Sequence, residues 1–151
     1  MFVRRAVADD GPAIAGLLLR AAARFEVKDY PRGWWPDGIE VLVAISDGHL
    51  VGWVEGVLDG AYTGPGAPVP PPHGYVLGIV VDPLWRRLGA GRALLDGFVA
   101  VARAAGLSWV FLFPEEGEEV AGRVAFLRAA GFEAVDDPDE EWPAMGRWAR
   151  A

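Results

Sequence analysis

Apolar positions along the chain switch between a helical and a strand period, and the switches delimit its elements. Residues 2–6 are short and β-compatible. Ile14, Leu17, Leu18, Ala21 and Phe25 then recur at helical spacing. The preceding Asp9-Asp10-Gly11-Pro12 supplies a capping acid and a proline suited to a first turn, which predicts a helix ending near Phe25. Two β-rich runs, 40–45 and 50–58, flank Ser46-Asp47-Gly48, and Asp-Gly in that position predicts a hairpin. Residues 75–81 are almost continuously apolar, which predicts a central strand covered on both faces. Leu94, Leu95, Phe98, Val99, Ala102 and Ala105 trace a helical face that Gly106 terminates, and residues 109–113 form a further buried strand. Val120, Val124 and Leu127 mark a last helix ending at Gly131, followed by closing strands at 132–135 and 144–148 around an acidic turn, 136–141. That order predicts an α/β (mixed α+β) chain with helices on the faces of a mixed sheet.

Two segments carry no periodicity. Residues 28–38 are dense in breakers and hold the adjacent Trp34 and Trp35. Residues 60–73 are so rich in glycine and proline that neither a ladder nor a helix is sustained, and they read as a stiff loop within the domain, with His73 at its end read as a solvent-facing residue in preference to a proton shuttle. The hairpin before that loop is too short to own a core, so a linker is the weaker reading. No internal repeat is present.

Composition narrows the chemistry. At 151 residues, 52% hydrophobic and 23% charged, the chain has the profile of one globular domain. A net charge of −7 argues against a phosphate-tracking nucleic-acid binder and suits a cationic small partner. With no cysteine and two histidines, disulfides, thiolate nucleophiles and metal centres are not expected. The first residues reach Asp9 and Asp10 before any apolar run of leader length, and charges interrupt every window approaching the ~20 apolar residues of a membrane span. A cytoplasmic protein without a membrane partner is the expectation.

The stretch that points to function is Val81-Asp82-Pro83-Leu84-Trp85-Arg86-Arg87-Leu88-Gly89-Ala90-Gly91-Arg92, which joins the apolar strand to the next helix. Pro83 ends strand pairing, and the helix's unpartnered N–H groups gather around Gly89 and Gly91, where no side chain obstructs approach. Those donors, the positive end of the helix dipole and the cations Arg86 and Arg87 suit a pyrophosphate. Gly-Ala-Gly also serves as a plain strand-to-helix turn, so taken alone the segment leaves both readings open. A dinucleotide fingerprint needs a glycine where Leu94 stands, and a mononucleotide loop needs Gly-Lys-Ser or Gly-Lys-Thr, which is absent here.

Val81, Pro83, Arg86, Gly89 and Gly91, spaced Val-x-Pro-x-x-Arg-x-x-Gly-x-Gly, resemble the acyl-CoA signature of the GNAT N-acetyltransferase superfamily. The run from Phe126 through Gly131-Phe132-Glu133 resembles that family's second motif, and the element order agrees from Arg4 to Trp148. The resemblance implies one GNAT-like domain over residues 1–151. Its sheet would be mixed and mostly antiparallel, with splayed central parallel strands and helices on both faces. It also implies acetyl-CoA as cosubstrate and no metal. The pyrophosphate would be held by main-chain N–H groups of Arg87, Leu88, Gly89, Ala90, Gly91 and Arg92, beside Arg86. The pantetheine would lie along the strand at Ile79, Val80 and Val81, pairing as an added strand does, with Gly78 either at a bulge or accommodating packing. A homodimer is a family-level expectation.

Direct attack by an amine on the thioester needs a neutral nucleophile, a donor for the developing oxyanion and a proton for the leaving thiolate. By resemblance the oxyanion donor is the Val81 N–H. The tyrosine that usually protonates the thiolate aligns with Leu127, which has no proton to give. Another group or a water then supplies the proton, the thiolate leaves unassisted, or catalysis has been lost. Tyr75 stands where many relatives carry a glutamate, and reads either as a base acting through water or as a strand-end aromatic. Glu55 shares a strand face with Val51, Trp53 and Val57, so it is either a partly enclosed carboxylate for an ammonium or an exposed charge. Glu115, after the second crossover strand, reads as an acceptor contact or a solvated turn. Trp34 and Trp35 form either an acceptor wall or a seal on the core. The leading expectation is an acetyl-CoA-dependent N-acetyltransferase for a primary amine of a small molecule or peptide. The alternatives are a non-catalytic acyl-CoA sensor on the same fold and an interaction domain anchored by Trp34 and Trp35.

Overall fold

The computed structural model describes residues 1–21, 35–114, 120–140 and 142–150. The strands are β1 (Phe2–Arg5), β2 (Ile39–Ser46), β3 (His49–Gly60), β4 (His73–Val81), β5 (Trp109–Leu112), β6 (Glu133–Ala134) and β7 (Met145–Trp148). The helices are α1 (Gly11–Arg20), α2 (Ala90–Ala104) and α3 (Val120–Ala129). The strands form one sheet in the order β1-β2-β3-β4-β5-β7-β6. Pairing is parallel between β4 and β5 and antiparallel for β1–β2, β5–β7 and β6–β7. No helix among the described residues is long and apolar enough to cross a membrane. The chain divides into two compact units, Met1–Gly56 with Leu77–Phe98 and Val57–Val76 with Val99–Ala151.

In the first unit, period-two alternation covers both faces of the sheet. Ile14, Leu17 and Leu18 of α1 bury against Val41, Val43 and Trp53. The intervening positions meet α2: a Cβ on Gly52 would stand 2.8 Å from Leu94 Cδ1, and one on Gly97 would stand 3.0 Å from Val3 Cγ1. Glycine at 52 therefore admits the helix. The expected hairpin turn is present, with positive φ at both Asp47 (50°) and Gly48 (77°), the type I′ requirement. Asp10 does not cap α1 with its side chain. Its carboxylate reaches back to the Val7 N–H at 2.7 Å and takes both guanidinium arms of Arg4, so the acid closes the short 3₁₀ turn ahead of the helix. The described helix ends at Arg20, and Phe25 lies outside the described residues.

In the second unit, all of β5 is buried. Gly146 of β7 faces Trp109 so closely that any side chain there would enter the indole. Both predicted glycine stops hold for one physical reason. Gly106 and Gly131 have φ of 86° and 90°. The residue after each donates to a carbonyl five positions back, Leu107 to Ala102 and Phe132 to Leu127, both at 3.0 Å. This is the double-bonded left-handed helix end that glycine adopts without steric cost.

Two expectations are corrected. The 75–81 strand is not covered on both faces: Leu77 is 39% exposed and Ile79, Val80 and Val81 are half-buried. Its apolar run reflects an open strand surface beside a buried one. His73 does not face solvent; it is fully buried and opens β4, two residues earlier than the apolar pattern predicts.

Candidate functional site

β4 ends at Val81 and the chain turns at Asp82, which is buried. The Asp82 N–H donates to the Val51 carbonyl at 2.8 Å, one carboxylate oxygen accepts the Leu84 N–H at 3.0 Å, and the other takes Arg20 Nη2 at 3.0 Å. Those contacts, first the Leu84 bond and then Arg20, hold the carboxyl below the usual aspartate range against the opposing effect of burial. Pro83 opens the 3₁₀ turn Pro83–Trp85, where its missing N–H costs nothing.

Beyond it Arg86 is extended, Arg87 has φ 68° and Gly89 has φ 84°. The Gly89 carbonyl accepts the Ala93 N–H at 3.0 Å, making Gly89 the residue that starts α2. The N–H groups of Ala90, Gly91 and Arg92 are then those for which a helix provides no carbonyl. Arg86, Arg87, Leu88 and Gly89 are exposed, whereas Ala90 and Gly91 are buried. A Cβ at Gly89 would find its nearest heavy atom, Met1 Cε, at 4.0 Å, so glycine is required there by its dihedral and not by crowding. The result is a helix start beside two exposed cations, Arg86 and Arg87, an arrangement suited to an anion.

Upstream, β4 and β5 pair at Gly74↔Val110 and Tyr75↔Phe111. β5 ends at Leu112 and β4 at Val81. Tyr75 is half-buried, stacked on Phe111 at 4.5 Å between centroids and 4° between planes.

Glu55 is half-buried on β3, two residues beyond the fully buried Trp53. Trp35 packs partly buried against the α1 cluster. Trp34 and Glu115 lie outside the described residues. Leu127 is 3% exposed. Pattern reading missed three features: the Asp82 anchor, although Asp before Pro is a capping signal; its partner Arg20; and Tyr62, whose ring reaches Phe111 and Phe113 at 5.4 and 6.3 Å.

The model of the Acetyltransferase (GNAT) family matches residues 14–132. A mycothiol acetyltransferase of Nocardiopsis dassonvillei is 37% identical over 118 residues, which are 76% of this chain and 33% of that protein. The chain thus spans about a third of the length of that relative. Among solved structures, Naa20 of Chaetomium thermophilum in complex with a bisubstrate analogue has a TM-score of 0.69 at 24% identity, over 98% of this chain and 86% of that one. The PaiA N-acetyltransferase of Thermoplasma acidophilum in complex with coenzyme A has a TM-score of 0.66 at 14% identity, over 97% of both chains. These two likenesses concern the fold.

Proposed function

The chain belongs to the GNAT acetyltransferase family, and from that premise we propose that it transfers the acetyl group of acetyl-CoA to a primary amine by direct attack. The observation that carries this reading is the loop into α2, where Arg87 and Gly89 have positive φ and Arg86 and Arg87 are exposed. In this reading the N–H groups of Arg87, Leu88, Gly89, Ala90, Gly91 and Arg92 hold the pyrophosphate, and Ile79, Val80 and Val81 pair with the pantetheine amides. That Ile79, Val80 and Val81 are only half-buried supports the assignment.

The amine nitrogen attacks the thioester carbon while the Val81 N–H takes the developing oxyanion; collapse breaks the C–S bond and releases the CoA thiolate. Tyr75 or Glu55 accepts, through water, the proton the ammonium loses before attack, and solvent protonates the thiolate. Burial of Leu127 supports solvent as that source, since an aliphatic side chain inside the core donates nothing. Net charge of −7 favours a cationic small molecule or peptide amine over a nucleic-acid-bound target. The second reading, an acyl-CoA sensor without turnover, is favoured by the same Leu127.

Calorimetric titration with acetyl-CoA and CoA, followed by thiol release against a panel of amines, separates the two. Binding with amine-dependent release is the expected result, and binding without release from any amine favours the sensor. Gly89→Glu or Gly91→Glu places bulk and negative charge among the donors, and each is expected to abolish CoA binding. Wild-type affinity in both variants rejects the cosubstrate site.

A further inference from the structure

Phe111 is the hub of an aromatic group built on the paired starts of β4 and β5. Tyr75 stacks on it, Trp109 lies at 5.7 Å and 18°, Phe113 at 6.0 Å and 90°, and His73 at 5.9 Å and 87°. Residues 109, 111 and 113 share a side by strand alternation, as do 73 and 75. The inner rings Trp109, Phe111 and His73 are buried. The rim is open: Phe113 is 43% exposed, and Tyr62 and Tyr75 are half-buried with their rings 6.3 and 6.1 Å from it.

Tyr62 comes from the glycine- and proline-rich loop, which has no ladder to hold it. His73 supplies the hold. Its Nδ1 accepts the Tyr62 N–H at 3.1 Å and its Nε2 donates to the Val69 carbonyl at 2.8 Å, tying the loop at two points from inside the core. The rim is therefore preorganised. Ring separations near 6 Å leave edges and faces to which a further ring can add in a tilted or T-shaped contact, and the π-faces attract a cation.

We infer that Tyr62, Tyr75 and Phe113 form the recognition surface for the acceptor, and that the acceptor is a primary amine bearing an aromatic ring. This rests on the N-acetyltransferase reading above. Tyr75 stands on the strand that carries Ile79 and Val81.

The test compares 2-phenylethylamine with n-butylamine, equal in charge, by calorimetry on the wild type, Tyr62→Ala and Phe113→Ala, with acetyl-CoA titrated into each protein. The wild type is expected to prefer the phenyl compound by on the order of tenfold. Each variant should lose most of that preference while its acetyl-CoA affinity stays within about twofold, which also reports an intact fold. Equal affinities in the wild type, a preference that survives both variants, or no binding of either amine by a protein that binds acetyl-CoA overturns the inference alone. If acetyl-CoA fails to bind while the preference is present and lost in the variants, the transferase reading falls and the amine surface remains.

Discussion

Arg20, the last residue of α1, and Asp82, the first residue after β4, form an ion pair with Nη2 and Nε at 3.0 and 3.2 Å from one carboxylate oxygen. The other oxygen holds the Leu84 N–H, so a single buried carboxylate fixes where the donor-rich loop leaves the strand.

Asp82 therefore links stability to acid. Its folded pKa is lowered, chiefly by the Leu84 bond and then by Arg20, from an unfolded value of about 3.9. Its contribution is fully present above that unfolded value and is lost as pH falls through the folded one. Asp82→Asn is expected to cost about 1–2 kcal/mol at neutral pH, through a weaker cap and the lost pair, and to flatten the fall in stability below about pH 4. Denaturation midpoints from pH 2.5 to 7 check this. An unchanged acid slope would count against the linkage, although Asp10, lowered mainly by Arg4, retains a slope of the same sign.

Gly89 separates backbone strain from crowding. Its φ of 84° is costly for any L side chain, whereas space around it is open. Gly89→Ala is expected to destabilise the fold by about 1 kcal/mol and to weaken acetyl-CoA binding through the displaced loop, far less than Gly89→Glu. Calorimetry beside chemical denaturation measures both. Equal loss of affinity in the two variants would show that the dihedral, and not access to the donors, governs binding.

His73→Phe keeps a ring against Trp109 and Phe111 but removes both ties to the loop. The Tyr62 N–H and Val69 carbonyl lose their partners, and the expected cost is about 1–3 kcal/mol, read from denaturation midpoints. A change within about 0.5 kcal/mol would mean that water replaces both bonds and that the loop is held elsewhere.

Legibility follows the range of the interactions. The Asp47-Gly48 turn, the glycine stops at 106 and 131 and the strand-to-helix turn through Gly89 are local, and each is set by dihedrals that few residues tolerate. They could be read directly. The open surface of β4 was not legible, because an apolar run does not say which of its faces a neighbour covers. His73 and the rings around Phe111 depend on the register of β4 against β5, which lie 36 residues apart at Tyr75↔Phe111, and Asp82 depends on Arg20, 62 residues away. No periodicity records such pairs. Trp35 suits a core seal somewhat better than a pocket wall by sequence, and the structure packs it against the α1 cluster.

Leu127 offers the sharpest test of how the thiolate is protonated. Its side chain is 3% exposed, and its carbonyl accepts the Phe132 N–H that closes α3. A phenol at this position would add volume and a hydroxyl to a packed core, so Leu127→Tyr is expected to destabilise the protein by about 1–3 kcal/mol. If the side chain stays in the core, amine-dependent thiol release should not rise, because the hydroxyl cannot reach a leaving sulfur. Should kcat increase, with a new decline at high pH near the phenol's titration, the side chain would have turned toward the bound thioester. Position 127 would then be the site of the missing acid, and the assignment of that proton to solvent would fail.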